Sequence, residues 1–227
     1  MRVRWYGQSA FLIESAEGSV MIDPFGDPSA LAGRGIRFEY PPIEGVTADL
    51  VLVTHEHFDH NAVEVVDGDP AVVRLAGSHE TPVGEVVGVA SEHDGEAGTR
   101  RGPNAIFRLT LDGLRVCHMG DFGQAGLREE QRAALGDVDV LFAPVGGGPT
   151  IGPEEAAAIA GELDARWIVP MHYGTPAADF LGPVDPFLEA YDDVLRLDGQ
   201  EAEIDPSERP ERPRVVVPQP PAGIGAT

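Results

Sequence analysis

The stretch Leu50-Val51-Leu52-Val53-Thr54-His55-Glu56-His57-Phe58-Asp59-His60 constrains this chain more than any other. A run of aliphatic residues stops abruptly, and three histidines and an aspartate follow within six positions. The apolar half, rich in β-branched residues, reads as a buried strand. The polar half then falls on the loop leaving the strand's C-terminal end. Imidazole nitrogen and carboxylate oxygen are ligands that suit zinc, iron or manganese. One histidine after a strand commonly does no more than hydrogen-bond. Three with an aspartate, at His-x-His-x-Asp-His spacing, point to a metal site.

At 227 residues the chain fits one large domain with a substantial core, and 42% apolar residues argue against wholesale disorder. The charge balance is unusual: 38 acidic against 16 basic residues give a formal net charge of -22, and every basic residue is arginine. Such a surface repels nucleic acid and anionic membranes, so neither is expected as a partner. A small-molecule substrate is expected instead, and bound divalent cations would leave even an anionic one possible. The sequence does not fix the oligomeric state. Cys117 is the sole cysteine, which excludes an intrachain disulfide, and in Leu114-Arg115-Val116-Cys117-His118 it reads as a small buried hydrophobe. No apolar run reaches bilayer length, and the N-terminus enters structured sequence without a signal-peptide pattern, so a cytoplasmic protein is expected.

Residues 2–14 and 19–22 read as opening strands, the last running into Asp23-Pro24-Phe25-Gly26. At this point Asp23 reads equally well as a turn residue. Residues 26–46 read as a long surface loop, residues 61–66 as one or two helical turns, and 71–75 and 83–90 as strands. His79 reads as a solvated loop histidine between them, and His93 follows a strand directly. Residues 104–111 and 114–118 form a hairpin pattern around Asp112-Gly113. Helices fit 127–135, 153–163 and 186–191; strands fit 138–143, 166–169 and 193–197. From Ser207 the chain turns proline-rich, so the domain is placed at 1–206 and a flexible or strapped-on tail at 207–227. His55, His57, Asp59, His60, His93, Asp121 and His172 all fall just after predicted strands, in four separated segments that could converge at one sheet edge.

Several segments in this order resemble the metallo-β-lactamase-fold metal-dependent hydrolases. They are Met21-Ile22-Asp23-Pro24, Thr54-His55-x-His57-x-Asp59-His60, His93, Gly120-Asp121, Pro144-Val145-Gly146-Gly147 and Pro170-Met171-His172-Tyr173. The resemblance covers roughly residues 1–200. One departure is Gln8, where many relatives have histidine after the glycine. The resemblance implies an α+β fold, a four-layer αββα sandwich with metals at one edge. It implies a two-metal centre, with His55, His57 and His93 on one metal, Asp59, His60 and His172 on the other, and Asp121 bridging. Asp23 becomes a partner orienting a ligand histidine, and His118 a candidate beside the site.

That ligand arithmetic leaves room for water, and two cations can hold a hydroxide and stabilise an oxyanion. The expectation is a binuclear hydrolase, with zinc, or alternatively manganese or iron, attacking an ester, lactone, amide or phosphodiester. Asp59 and Asp121 are its catalytic candidates. If the substrate is anionic, Arg100 and Arg101 near His93 are candidates to meet it, with solvated loop arginines as the alternative; Asn104, Thr150 and Tyr173 are candidates to line the pocket, each with a packing or capping alternative. Two rivals stand beside it: a metal-binding module without turnover, and a di-iron redox protein, which His57 and the lack of a flavin domain disfavour.

Overall fold

The computed structural model describes residues 1–27 and 35–223. The chain opens with an antiparallel meander of β1 (Arg2–Gly7), β2 (Ala10–Ser15) and β3 (Gly18–Ile22). After the segment 35–45 come β4 (Val46–Thr47), β5 (Leu50–Leu52), a 3-10 turn at Val63–Val65, β6 (Val66–Asp67) and β7 (Ala71–Val73). β5 lies parallel to both β3 and β7, while β4 and β6 pair apart from the main sheets.

A second meander runs β8 (Gly77–Thr81), β9 (Gly84–Glu92), β10 (Pro103–Leu111) and β11 (Leu114–His118), all antiparallel. Asp112 and Gly113, at φ 50° and 75°, make the tight turn between β10 and β11. The chain then alternates helix and strand: α1 (Glu129–Leu135), β12 (Val140–Pro144), α2 (Pro153–Glu162) and β13 (Trp167–Met171). α2 starts where proline has no N–H to lose, and Glu155 accepts the N–H of Gly152 at 3.1 Å. The last elements are α3 (Asp185–Leu188), β14 (Asp193–Arg196), β15 (Glu201–Glu203) and β16 (Arg214–Val217).

One sheet is ordered β15-β1-β2-β3-β5-β7 and the other β14-β16-β13-β12-β11-β10-β9-β8. The pleat sorts the first sheet's residues. Phe11, Ile13, Val20, Ile22, Leu50 and Leu52 join the main core, whereas Ala10, Met21, Val51 and Val53 join a smaller cluster on the opposite face. The main core lies between the sheets, where Phe11 of β2 meets Phe142 of β12 at 4.8 Å between ring centroids. Segment 35–46 covers the outer face with Phe38, Tyr40 and Ile43, all buried, and α1 and α2 pack on the second sheet. The architecture is the α+β, four-layer αββα sandwich.

Three expectations change. Of the stretch read as a surface loop, residues 28–34 lie outside the described residues, and the rest of 35–46 is an apolar cover. His79 sits in the edge strand β8, bonded to the Leu75 carbonyl at 2.9 Å; solvent on both faces removed the alternation that would have marked a strand. The boundary at residue 206 is not structural. β16 lies between β13 and β14 with Val215, Val216 and Val217 buried, so residues 214–217 belong to the sheet, while 224–227 lie outside the described residues.

Candidate metal centre

Strand polarity decides where the polar residues meet. β9 and β11 are both antiparallel to β10 and therefore point the same way, and β12 and β13 run parallel to β11. His93 follows β9, Asp121 follows β11 and His172 follows β13, so all three emerge at one edge. In the first sheet β3 and β5 run parallel and release Asp23 and the segment His55–His60.

Asp121 Oδ2 is the centre of the cluster, 3.2 Å from Nε2 of His93, 3.2 Å from Nε2 of His172, 3.4 Å from Nε2 of His60 and 4.0 Å from Nε2 of His55. Nε2 of His55 and Nδ1 of His57 face each other at 3.0 Å. Asp59 Oδ2 lies 3.7 Å from Nε2 of His60. His55, His57 and His93 offer three donor atoms within 4.8 Å of one another, and His60, Asp121 and His172 offer a second such trio. A third trio, Asp23 with His55 and His60, is engaged otherwise, because Asp23 bonds Thr54 and the far nitrogen of His60.

Those outer bonds fix the inner atoms. Asp23 Oδ1 and Oδ2 accept the N–H and hydroxyl of Thr54 at 2.8 and 2.7 Å, and Oδ2 takes the Nδ1 proton of His60 at 3.0 Å. That tautomer turns the Nε2 lone pair of His60 inward. His60 Nε2 and His93 Nδ1 are buried without a hydrogen-bond partner among the described residues. An orphaned imidazole nitrogen inside an all-nitrogen-and-oxygen donor set fits a divalent cation such as zinc, manganese or iron.

Electrostatics keep His55 and His57 neutral, the form that can ligate a cation. Burial, followed by the charge of His60, pushes His55 well below the ordinary imidazole range, and burial together with His93 lowers His57. Burial opposes charge on His60, but Asp121, Asp59 and Asp23 outweigh it and raise its pKa. Burial likewise opposes ionisation of Asp121, which His172 and His60 more than offset, holding it well below the carboxylate range.

His118 lies wholly buried behind this edge. Its Nδ1 accepts the N–H of Gly120 at 3.1 Å, so its Nε2–H donates to the Ser9 carbonyl at 3.1 Å. Ser9 in turn donates its hydroxyl to Asp121 Oδ1 at 3.3 Å. Asn104 is buried too: Oδ1 accepts the Asp121 N–H at 3.1 Å, and its amide donates to Ser91 and Met119. Tyr173 packs its ring on Trp5 at 5.3 Å, and burial raises its pKa. Neither Asn104 nor Tyr173 is part of the cleft of about 560 Å³ that adjoins His57. Arg100, Arg101 and Thr150 are, with Asp94, Gly95, Gly123, Gly148 and Pro149.

Other contributors carried little sequence signal. Gln8, Asp23 and His172 adopt positive φ of 52°, 48° and 51° without being glycine, a strain that clusters at functional sites. Gly146 lets the His172 strand end approach; a Cβ there would stand 2.4 Å from the His172 carbonyl oxygen.

Comparison with known proteins gives a consistent picture. The family profile described as beta-lactamase superfamily domain matches residues 2–172. A UPF0173 metal-dependent hydrolase of Thermococcus kodakarensis is 31% identical over 233 residues, covering 90% of this chain and 95% of the relative. The UPF0173 metal-dependent hydrolase YtkL of Bacillus subtilis is 28% identical over 207 residues, covering 77% and 86%. Among solved structures, a protein of Thermotoga maritima assigned as a zinc-dependent hydrolase of the metallo-beta-lactamase superfamily superposes with a TM-score of 0.77 at 35% identity, over 95% of this chain and 97% of that one. An isothiocyanate hydrolase from Delia radicum gut bacteria shares the fold with a TM-score of 0.69 at 16% identity, over 90% and 99%.

Proposed function

Because the chain belongs to the beta-lactamase superfamily and to its UPF0173 metal-dependent hydrolases, we propose that it is a binuclear hydrolase of a small-molecule ester, lactone, amide or phosphodiester. The observation that carries this reading is the double trio of donors around Asp121 Oδ2, with His60 Nε2 buried and without a hydrogen-bond partner among the described residues. His55, His57 and His93 would hold one divalent cation, Asp59, His60 and His172 the other, and Asp121 both. Zinc is the first choice, with manganese and iron alternatives for the same donors. Bound there, the pair of cations would supply an ionised water as nucleophile and polarise the scissile bond.

The chain's own groups do the rest. Asp23 and Thr54 hold His60 in the inward tautomer, and Ser9 and Asn104 fix Asp121 from opposite sides. Asp59, with its side chain 17% exposed, is the carboxylate of the centre most open to solvent, which suits it to orient the attacking water and receive its proton. The cleft beside His57 gives a substrate its approach.

The test is metal analysis joined to a substrate panel of lactones, phosphodiesters, amides and β-lactams. The expected result is about two divalent metals per chain and turnover of one class. His57→Ala and Asp121→Ala should lose metal and lower the rate by more than about a hundredfold. Full turnover by metal-free protein would sink the proposal. Metal-replete protein without turnover on any class would favour a metal-binding module, and a coloured iron protein a redox role.

A further inference from the structure

The loop that follows His93 is built around one carboxylate. Asp94 Oδ1 accepts the N–H groups of Glu96 and Gly98 at 2.8 and 2.9 Å, and Oδ2 those of Arg100 and Arg101 at 3.0 and 2.8 Å. The loop base is closed by Gly102 N–H to the Gly98 carbonyl at 3.0 Å and by His93 N–H to the Gly102 carbonyl at 3.1 Å. Ala97, Gly98 and Gly102 take the positive φ values, 56°, 73° and 95°, that fold the chain back on itself. Four backbone donors on one side chain make a fixed platform rather than a loose surface loop. The platform carries Arg100 and Arg101 into the cleft shared with His57 and Thr150.

The two arginines are not equivalent. Arg100 is engaged by Glu96 at 3.2 Å. The Arg101 guanidinium makes no hydrogen bond or ion pair among the described residues, although the chain carries 38 acidic residues against 16 arginines. Asp94, the acidic residue of the cleft, has both oxygens turned to the backbone of its own loop. Across the cleft stand Gly123, Gly148 and Pro149, which leave space, and Thr150, whose hydroxyl is turned to the Gly147 and Ile151 carbonyls at 3.4 Å. The free charge facing this space is therefore positive, in a molecule whose net charge is strongly negative.

We propose that this cleft is an anion subsite, in which Arg101 selects substrates bearing a carboxylate or phosphate group beside the bond that is cut. The inference rests on the hydrolase reading above and specifies its substrate class. Guanidinium pairs with either group through two parallel N–H donors. The platform holds the Arg101 backbone before substrate arrives, so less ordering is left to binding. An acidic surface elsewhere disfavours non-specific anion capture, which leaves selectivity to this contact.

The test is calorimetric titration of metal-loaded wild type, Arg101→Ala, Arg101→Lys and the remote surface control Arg132→Ala. The probes are succinate, 3-phosphonopropionate and butyrate, which share a carboxylate head and differ at the far end. Wild type and Arg132→Ala should bind at least one of the two doubly anionic probes about tenfold or more tighter than butyrate. Arg101→Ala should abolish that preference, with Arg101→Lys between them. Loss confined to succinate assigns a carboxylate, and loss confined to the phosphonate assigns a phosphate. A preference that survives in Arg101→Ala, or that disappears equally in Arg132→Ala, overturns the subsite. Metal content of each protein is read separately by elemental analysis. Protein that holds no metal sinks the hydrolase reading; metal-replete wild type with no anion preference overturns the subsite alone.

Discussion

Gln8 donates its side-chain amide to Oδ2 of Asp59 at 3.3 Å, while its main-chain carbonyl accepts the His172 N–H at 3.2 Å. One residue thus ties together two of the groups proposed to hold a second metal. A carboxylate only accepts, so Nε2 must face Asp59, and the Gln8 carbonyl oxygen Oε1 is left buried without a hydrogen-bond partner among the described residues. Gln8→Ala should release Asp59 and weaken the second metal about 10- to 100-fold, leaving the first in place. Gln8→Glu should be worse, since it sets a second carboxylate against Asp59. Chelator competition on each variant measures this, with circular dichroism as a check on folding. Unchanged affinity at both sites would remove Gln8 from the metal support.

Asp23 is the other support, wholly buried and accepting from Thr54 twice and His60 once. Asp23→Asn presents an amide donor where at least one proton already points. The variant should lose about 1–3 kcal/mol of stability and about tenfold or more in metal affinity. Denaturant melts of metal-free protein read the first effect and chelator competition the second. Loss of affinity without loss of stability would assign Asp23 to the histidine alone.

The sequence carried the ligand segments because buried strands announce themselves by composition and polar residues at their ends stand out. His55, His57, Asp59 and His60 needed only that signal. The supporting residues did not show, since their roles depend on backbone conformation and distant pairing. Nothing local marks Gln8 as a residue at φ 52° that reaches Asp59, fifty-one positions away. Nor does anything local mark Asp94 as the side chain that gathers four backbone N–H groups. β16 was hidden by its flanks. Val215-Val216-Val217 is a strand-forming run, but Pro213 and Pro218 made the region look unstructured, although proline just outside a strand merely ends it.

Arg115 and Asp139 link stability to acid. Asp139 accepts Nε and Nη2 of Arg115 at 2.8 and 3.0 Å and its N–H at 2.9 Å, and these bonds hold the Asp139 carboxyl below the ordinary carboxylate range. A depressed folded-state pKa adds stability above the unfolded value near 4, and that stability is lost as pH falls through the folded value. Asp139→Asn should therefore be less stable than wild type at pH 7, by about 1–3 kcal/mol, and the gap should narrow below about pH 4. Thermal melts across pH 3–7 test it; a gap independent of pH would show that packing, not charge, is responsible.

Gly146 and His172 approach too closely for any other residue. A Cβ at Gly146 would lie 2.4 Å from the His172 carbonyl oxygen and 2.8 Å from the Tyr173 Cα, both main-chain atoms that cannot swing aside. Gly146→Ala should displace the His172 strand end, cost about 1–3 kcal/mol and weaken metal binding. Gly161→Ala is the control, because nothing lies within 4 Å of its Cβ position and α2 gains a better helix former. Equal behaviour of the two variants in chelator competition would show that the Gly146 contact does not set the ligand.

Removing residues 207–227 decides between a tail and a sheet strand. A flexible tail could be cut with little effect. The deletion would instead take β16 from between β13 and β14, leaving both with an unpaired ladder. It would also remove three buried valines and the Arg214 side chain, whose guanidinium lies 5.3 Å over the Trp167 ring and bonds Asp193 at 2.8 Å. The valines alone contribute about 1.5–3 kcal/mol each, a sum comparable to the whole stability of an ordinary domain. The truncated chain should be insoluble or lack a cooperative melt. A soluble product with wild-type melting would mean that β13 and β14 close the sheet without β16.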